Sequence, residues 1–124
     1  METLKLLVVD DEPALRRLLE FLLGRYGYQV TSVSDGKMAL DYLATETPDL
    51  IILDVMMPVF DGFDVLSIIR GSETMSSIPV VLLTARAQLA DIQKGLNMGA
   101  DAYLAKPFDP EDLLSVVQSL IGGS

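Results

Sequence analysis

The chain has 124 residues, enough for one domain with a continuous core and too few for a second. It has no cysteine and no histidine, which excludes disulfides, thiolate nucleophiles, imidazole relays and nitrogen-ligated zinc. A net charge of -9 with no basic cluster argues against direct contact with nucleic acid or an anionic membrane. The stretch from Met1 to Glu12 also lacks the basic start and apolar core of a signal peptide, so a cytoplasmic protein is expected.

Leu4 to Val9 is the first of five short apolar runs and reads as a strand. Pro13 then suits a first helical turn, and Leu15, Leu18, Leu19, Leu22 and Leu23 form an apolar stripe predicted to end near Gly24 to Gly27. Tyr28 to Val33 is the second strand, and Asp35-Gly36 opens the second helix. Leu50 to Leu53 and Val80 to Leu83 are apolar throughout, as befits strands of a parallel sheet covered on both faces. Asp61-Gly62 precedes the helix between them. The fourth helix, around Arg86 to Asn97, has a thin stripe of Leu89, Ile92 and Leu96 interrupted by Gly95, and is expected to be the least stable. Ala102 to Ala105 is the fifth strand, and Asp109-Pro110 starts a last helix with Leu113, Val116, Val117 and Leu120 inward. Strand and helix alternate as in an α/β domain with right-handed crossovers. Residues 1–121 form the predicted domain, and Gly122 to Ser124 a flexible tail or the start of a linker.

Polar residues follow four of the five strands: Asp10 and Asp11, Asp54, Thr84, and Lys106. In an open parallel sheet those strand ends share one edge, and ligands bind where the strand order reverses. With an order of 2-1-3-4-5 the reversal lies between strands one and three, so Asp10, Asp11 and Asp54 would face one another. Such a group of carboxylates calls for a hard cation, and Mg2+ suits a site that keeps room for water and a phosphoryl oxygen, with Mn2+ as a substitute. Lys106 adds a compact positive charge and Thr84 a rotatable donor. Nucleophile, cation and donors are together the parts of phosphoryl transfer to a carboxylate. Singly, each has a duller role: Asp10-Asp11 and Thr84 as helix caps, Lys106 as a solvated lysine, Tyr103 as a core residue with its hydroxyl at the rim.

The chain resembles the receiver domain of two-component response regulators, of the chemotaxis-Y-like kind. The resemblance rests on Val8-Val9-Asp10-Asp11-Glu12-Pro13, Leu53-Asp54-Val55-Met56-Met57-Pro58 with Asp61-Gly62, Leu83-Thr84-Ala85, and Gly99 to Phe108, and it runs from about Leu4 to Leu120. It implies a flavodoxin-like (βα)5 fold with helices on both faces of a five-stranded parallel sheet. It further implies that Asp54 is the phosphoacceptor and that Asp11 binds Mg2+ with Asp10, Asp54 and the Met56 carbonyl. Lys106 would contact the phosphoryl group, Thr84 and Tyr103 would carry the switch, and the Lys106-Pro107 bond would be cis and aim the lysine into the crevice. The implied partners are a histidine kinase or histidine phosphotransfer protein and a downstream effector that reads the fourth helix, fifth strand and fifth helix. Met56 and Arg86, each two positions past a site residue, are candidates for setting the lifetime of the aspartyl phosphate. Apart from its own phosphorylation and dephosphorylation, no catalysis is expected.

A haloacid-dehalogenase-like phosphatase would want an acid where Met56 stands. A flavodoxin-type redox protein would want a donor-rich loop in place of Asp10-Asp11-Glu12. A receiver relative that only binds would have no use for the full set of acids, Thr84 and Lys106.

Overall fold

The computed structural model describes residues 3–85 and 88–122. Five parallel strands, β1 (Lys5–Val9), β2 (Gln29–Val33), β3 (Leu50–Leu53), β4 (Val80–Thr84) and β5 (Ala102–Ala105), lie in the order β2-β1-β3-β4-β5. Between and after them run α1 (Pro13–Gly24), α2 (Gly36–Leu43), α3 (Gly62–Gly71), α4 (Leu89–Asn97) and α5 (Pro110–Ile121). This is the α/β doubly wound arrangement expected from the alternating pattern.

Alternate residues along a strand face opposite sides, and here they feed two separate cores. Leu6, Val8, Leu50, Ile52, Val81 and Leu83 pack with Leu19 and Leu23 of α1 and Leu113 and Val117 of α5. Leu7, Val9, Ile51, Leu53, Val80 and Leu82 pack on the other side with Ala39 and Leu43 of α2 and with Val65, Leu66 and Ile69 of α3. Burial on both faces explains why β1, β3 and β4 carry so few polar residues.

Two predicted stripes differ in detail. Leu18 of α1 is 47% exposed, because only Leu19 and Leu23 of that helix reach full burial against the sheet. It lines a hollow of about 500 Å3 with Leu15, Lys106, Pro107, Phe108 and Pro110. In α4, Leu89 is 70% exposed and Leu96 45%, and the residue buried against the sheet is Gly95. A Cβ at Gly95 would lie 2.6 Å from Leu82 Cδ1 and 3.1 Å from Tyr103 Cδ2, so the glycine lets the helix approach β4 and β5. The first residues predicted for this helix, Arg86 and Ala87, lie outside the described residues, as do Gly123 and Ser124 of the predicted tail.

Candidate functional site

Sheet register builds the site before any side chain is considered. Val9 pairs with Val33 on one side and with Leu53 on the other, and Leu53 pairs with Leu82. Asp10 and Asp54 are therefore adjacent, each one residue beyond a paired position, at the point where chain order reverses. The backbone continues the pairing: Asp54 N donates to Val9 O at 2.9 Å and Asp10 N to Val33 O at 3.1 Å. On the other flank Lys106 N donates to Thr84 O at 2.9 Å, which brings the end of β5 to the same edge.

The side chains converge accordingly. Asp10 and Asp54 are 2% and 3% exposed, and Thr84 is fully buried. The Lys106 ammonium donates to Asp10 Oδ2 at 2.8 Å, to Glu12 Oε1 at 2.9 Å and to Asp54 Oδ2 at 3.3 Å. The second Asp54 oxygen accepts from Met56 N at 3.1 Å, and the second Asp10 oxygen accepts from Glu12 N at 2.9 Å. Arg16 of α1 donates to the Asp10 carbonyl at 2.7 Å and so ties the first helix to the acidic loop. The Lys106-Pro107 bond is cis, as the family resemblance implied.

The next helix is fitted to the Asp54 loop from below. A Cβ on Gly62 would lie 2.4 Å from the Asp54 carbonyl oxygen, so α3 can start there only with glycine. Asp61 caps that helix in a reciprocal box with Asp64. Val59, at the tip of the loop, is fully exposed and has a φ of 68°, a left-handed conformation costly for a β-branched residue.

Among the described residues charge does not balance here. Asp10, Asp11, Glu12 and Asp54 each place a carboxylate oxygen within 4.8 Å of the others, and the described residues set one ammonium against them. Burial pushes the Asp54 carboxyl above the ordinary aspartate range and the Asp10 charge adds to this, while Lys106 and the Met56 N–H pull it down. Burial alone would lower the Lys106 ammonium, but its bonds to Asp10 and Glu12 and the charges of Asp54 and Asp10 outweigh that and raise it. The lysine is therefore a permanent cation. An all-oxygen donor set with surplus negative charge fits a hard divalent cation.

The duller roles do not describe Thr84 or Lys106, whereas Tyr103 does pack as a core residue. Thr84 is not the cap of α4, whose N-cap is Gln88, and Lys106 has a side chain only 14% exposed. Tyr103 is half-buried and packs against the α3-side core, with its ring beside Gly95. Met56 is 55% exposed at the mouth of the site, and Arg86 lies outside the described residues. Sequence reasoning missed Glu12 as a partner of Lys106. Its only signal was a third acid directly after the pair, which also reads as a solvated helix start.

A buried aspartate, an acidic pair and a lysine gathered at the switch point of a doubly wound sheet define an α/β domain with its polar site where such sheets hold ligands. The profile of the response regulator receiver domain matches residues 6–118, and the chain belongs to that family, the receivers of two-component phosphorylation switches. It is 45% identical over 117 residues to a probable transcriptional regulator, ycf27, of Cyanophora paradoxa, covering 94% of this chain and 48% of that one. The chain thus spans about half the length of the curated relatives it matches. Among solved structures, chemotaxis protein CheY4 of Vibrio cholerae superposes with a TM-score of 0.90 at 34% identity, over 96% of this chain and 99% of that one. The receiver domain of sensor histidine kinase PA1611 from Pseudomonas aeruginosa does so with a TM-score of 0.87 at 34% identity, covering 97% and 98%. That structure is described with a magnesium ion coordinated in the active-site cleft. Among the described residues no helix is long and apolar enough to cross a membrane.

Proposed function

We propose that Asp54 accepts a phosphoryl group from a partner's phosphohistidine or a small acyl phosphate, and that this biases a two-state equilibrium read by an effector. The observation that carries the reading is the buried Asp54 carboxylate, held between the Lys106 ammonium and the Met56 N–H beside Asp10 and Asp11. Asp11, Asp10, Asp54 and the Met56 carbonyl would hold Mg2+, or Mn2+ in its place. When bound, such a cation neutralises charge on the acids and on the phosphoryl oxygens. An Asp54 oxygen attacks phosphorus in line, a new P–O bond forms, and the bond to the donor breaks with its electron pair leaving on the donor. Lys106 offsets the charge on the equatorial oxygens.

Thr84 then offers its hydroxyl to a phosphoryl oxygen, and the loop beyond it, α4 and Tyr103 follow. The surface changed is α4, β5 and α5, where a cytoplasmic effector or an appended output domain would bind. A histidine kinase or a histidine phosphotransfer protein is the expected donor. Met56 and Arg86 would set how readily water reaches the phosphoryl group. The receiver domain is taken to span residues 1–121, a reading supported at its far end by the last helix, Pro110–Ile121. Such a module turns over only its own phosphate.

Intact mass after incubation with acetyl phosphate tests this reading. A phosphate adduct that requires Mg2+, appears in the parent and is absent from Asp54→Asn is the expected result. An equal adduct in both proteins would refute it.

A further inference from the structure

A lysine ammonium has three N–H donors. In the resting chain all of them are engaged, by Asp10, Glu12 and Asp54, and the Asp54 contact is the longest at 3.3 Å. The N–H that meets Asp54 can turn to a phosphoryl oxygen there, but the ammonium can draw closer to that oxygen only by lengthening its shorter bonds to Asp10 or Glu12. The two alternatives are not equal. Asp10 is 2% exposed, so its oxygen would be stranded away from water, whereas the Glu12 side chain is 61% exposed and can be rehydrated at once.

Glu12 is also free of the local duty its position usually carries. Asp35, Asp61 and Asp109 each cap the helix that follows them by accepting a backbone N–H. Glu12 is the N-cap of α1, makes no side-chain cap bond, and reaches across the crevice to Lys106 instead. A cap oxygen is ordinarily favoured near the helix N-terminus, so the lysine has drawn this carboxylate away from a stabilising place.

We propose that Glu12 is a positioning residue that holds the Lys106 ammonium back from Asp54 in the resting state and releases it when the phosphoryl group arrives. The role rests on Asp54 being the phosphoacceptor. Glu12 then acts as a brake on phosphorylation, and it offers the lysine a resting place once the phosphate is lost.

The test compares the parent, Glu12→Gln and Glu12→Asp for phosphorylation by acetyl phosphate at saturating Mg2+, each also in a Lys106→Ala background. Glu12→Asp keeps the charge and shortens the reach. Both substitutions should accelerate phosphorylation about threefold, the scale of a partly exposed ion pair, and neither should do so without Lys106. In metal-free protein the 15N resonance of the Lys106 ammonium should shift in both variants, a readout that loss of stability alone would not produce. Acceleration in Glu12→Gln but not in Glu12→Asp would mean that charge repulsion of the donor is the cause, and would overturn the proposal. So would an unchanged or slower rate in Glu12→Gln, or an unmoved Lys106 resonance. A parent that takes up no phosphate would overturn the phosphoacceptor reading itself, and the role of Glu12 with it, whatever the lysine resonance does.

Discussion

Two cations stand at opposite edges of the same strands, in opposite electrostatic circumstances. Arg70, at the end of α3, donates to the carbonyls of Gly99, Ser76 and Ile78 and pairs with Asp101 at 3.0 Å, just before β4 and β5 begin. The same Asp101 oxygen accepts from Val80 N, so one cation meets one anion and the remaining donors meet neutral oxygens. Lys106, just past the end of β5, faces Asp10, Glu12 and Asp54, with Asp11 beside them. The first cluster is balanced and staples loops together. The second leaves negative charge in surplus, which is a poor way to stabilise a fold and a good way to attract a cation and a reaction.

Removing each cation should expose that difference. Arg70→Ala leaves the part-buried carbonyls of Gly99 and Ile78 without their side-chain donor, while the part-exposed Asp101 keeps Val80 N; it should cost about 2 kcal/mol in urea unfolding, with the rate of Asp54 phosphorylation changed less than about twofold. Lys106→Ala should act on the reaction as well as the fold: phosphorylation is expected to slow about a hundredfold, the scale of losing one donor aimed at transition-state charge. Stability of the metal-free protein should fall by about 3 kcal/mol, because Asp10 and Asp54 are buried and lose their shared cation. If Arg70→Ala slowed phosphorylation as much as Lys106→Ala, the division between staple and reaction site would be wrong.

Neutralising one acid should strengthen the metal-free fold. The folded-state pKa of Asp54 lies above its unfolded value, so its ionisation favours unfolding. Stability from this group is fully present below the ordinary aspartate value of 3.8, declines as pH rises to the folded-state pKa, and stays low above it. Asp54→Asn should therefore be more stable than the parent at pH 7 without metal, by about 1 kcal/mol, and the gap should close as pH falls toward the ordinary value. Urea midpoints across that range measure it. The smallest effect belongs to Val59, where Asn relieves a left-handed β-branched residue and should raise stability by about 0.5 kcal/mol.

Much of this could be read from the sequence because it depends on local pattern. Apolar runs such as Leu50 to Leu53 announce buried strands, and strand ends in a parallel sheet must share an edge, so Asp10, Asp54, Thr84 and Lys106 could be placed together. What could not be read depends on long-range packing. Glu12 looks like any helix-start acid until Lys106 arrives from 94 residues away. Gly95 looks like a weakness in α4 until Leu82 and Tyr103 are seen against it, and Arg70 looks like a solvated helix end until the turns before β4 and β5 close over it.

The surplus of negative charge at the Asp54 rim is the core of the account, and a divalent cation should relieve it. Urea unfolding with and without Mg2+ at about ten times its dissociation constant should show a gain near 1.4 kcal/mol in the parent, lost in Asp11→Asn. An unchanged parent, or the same gain in Asp11→Asn, would contradict it.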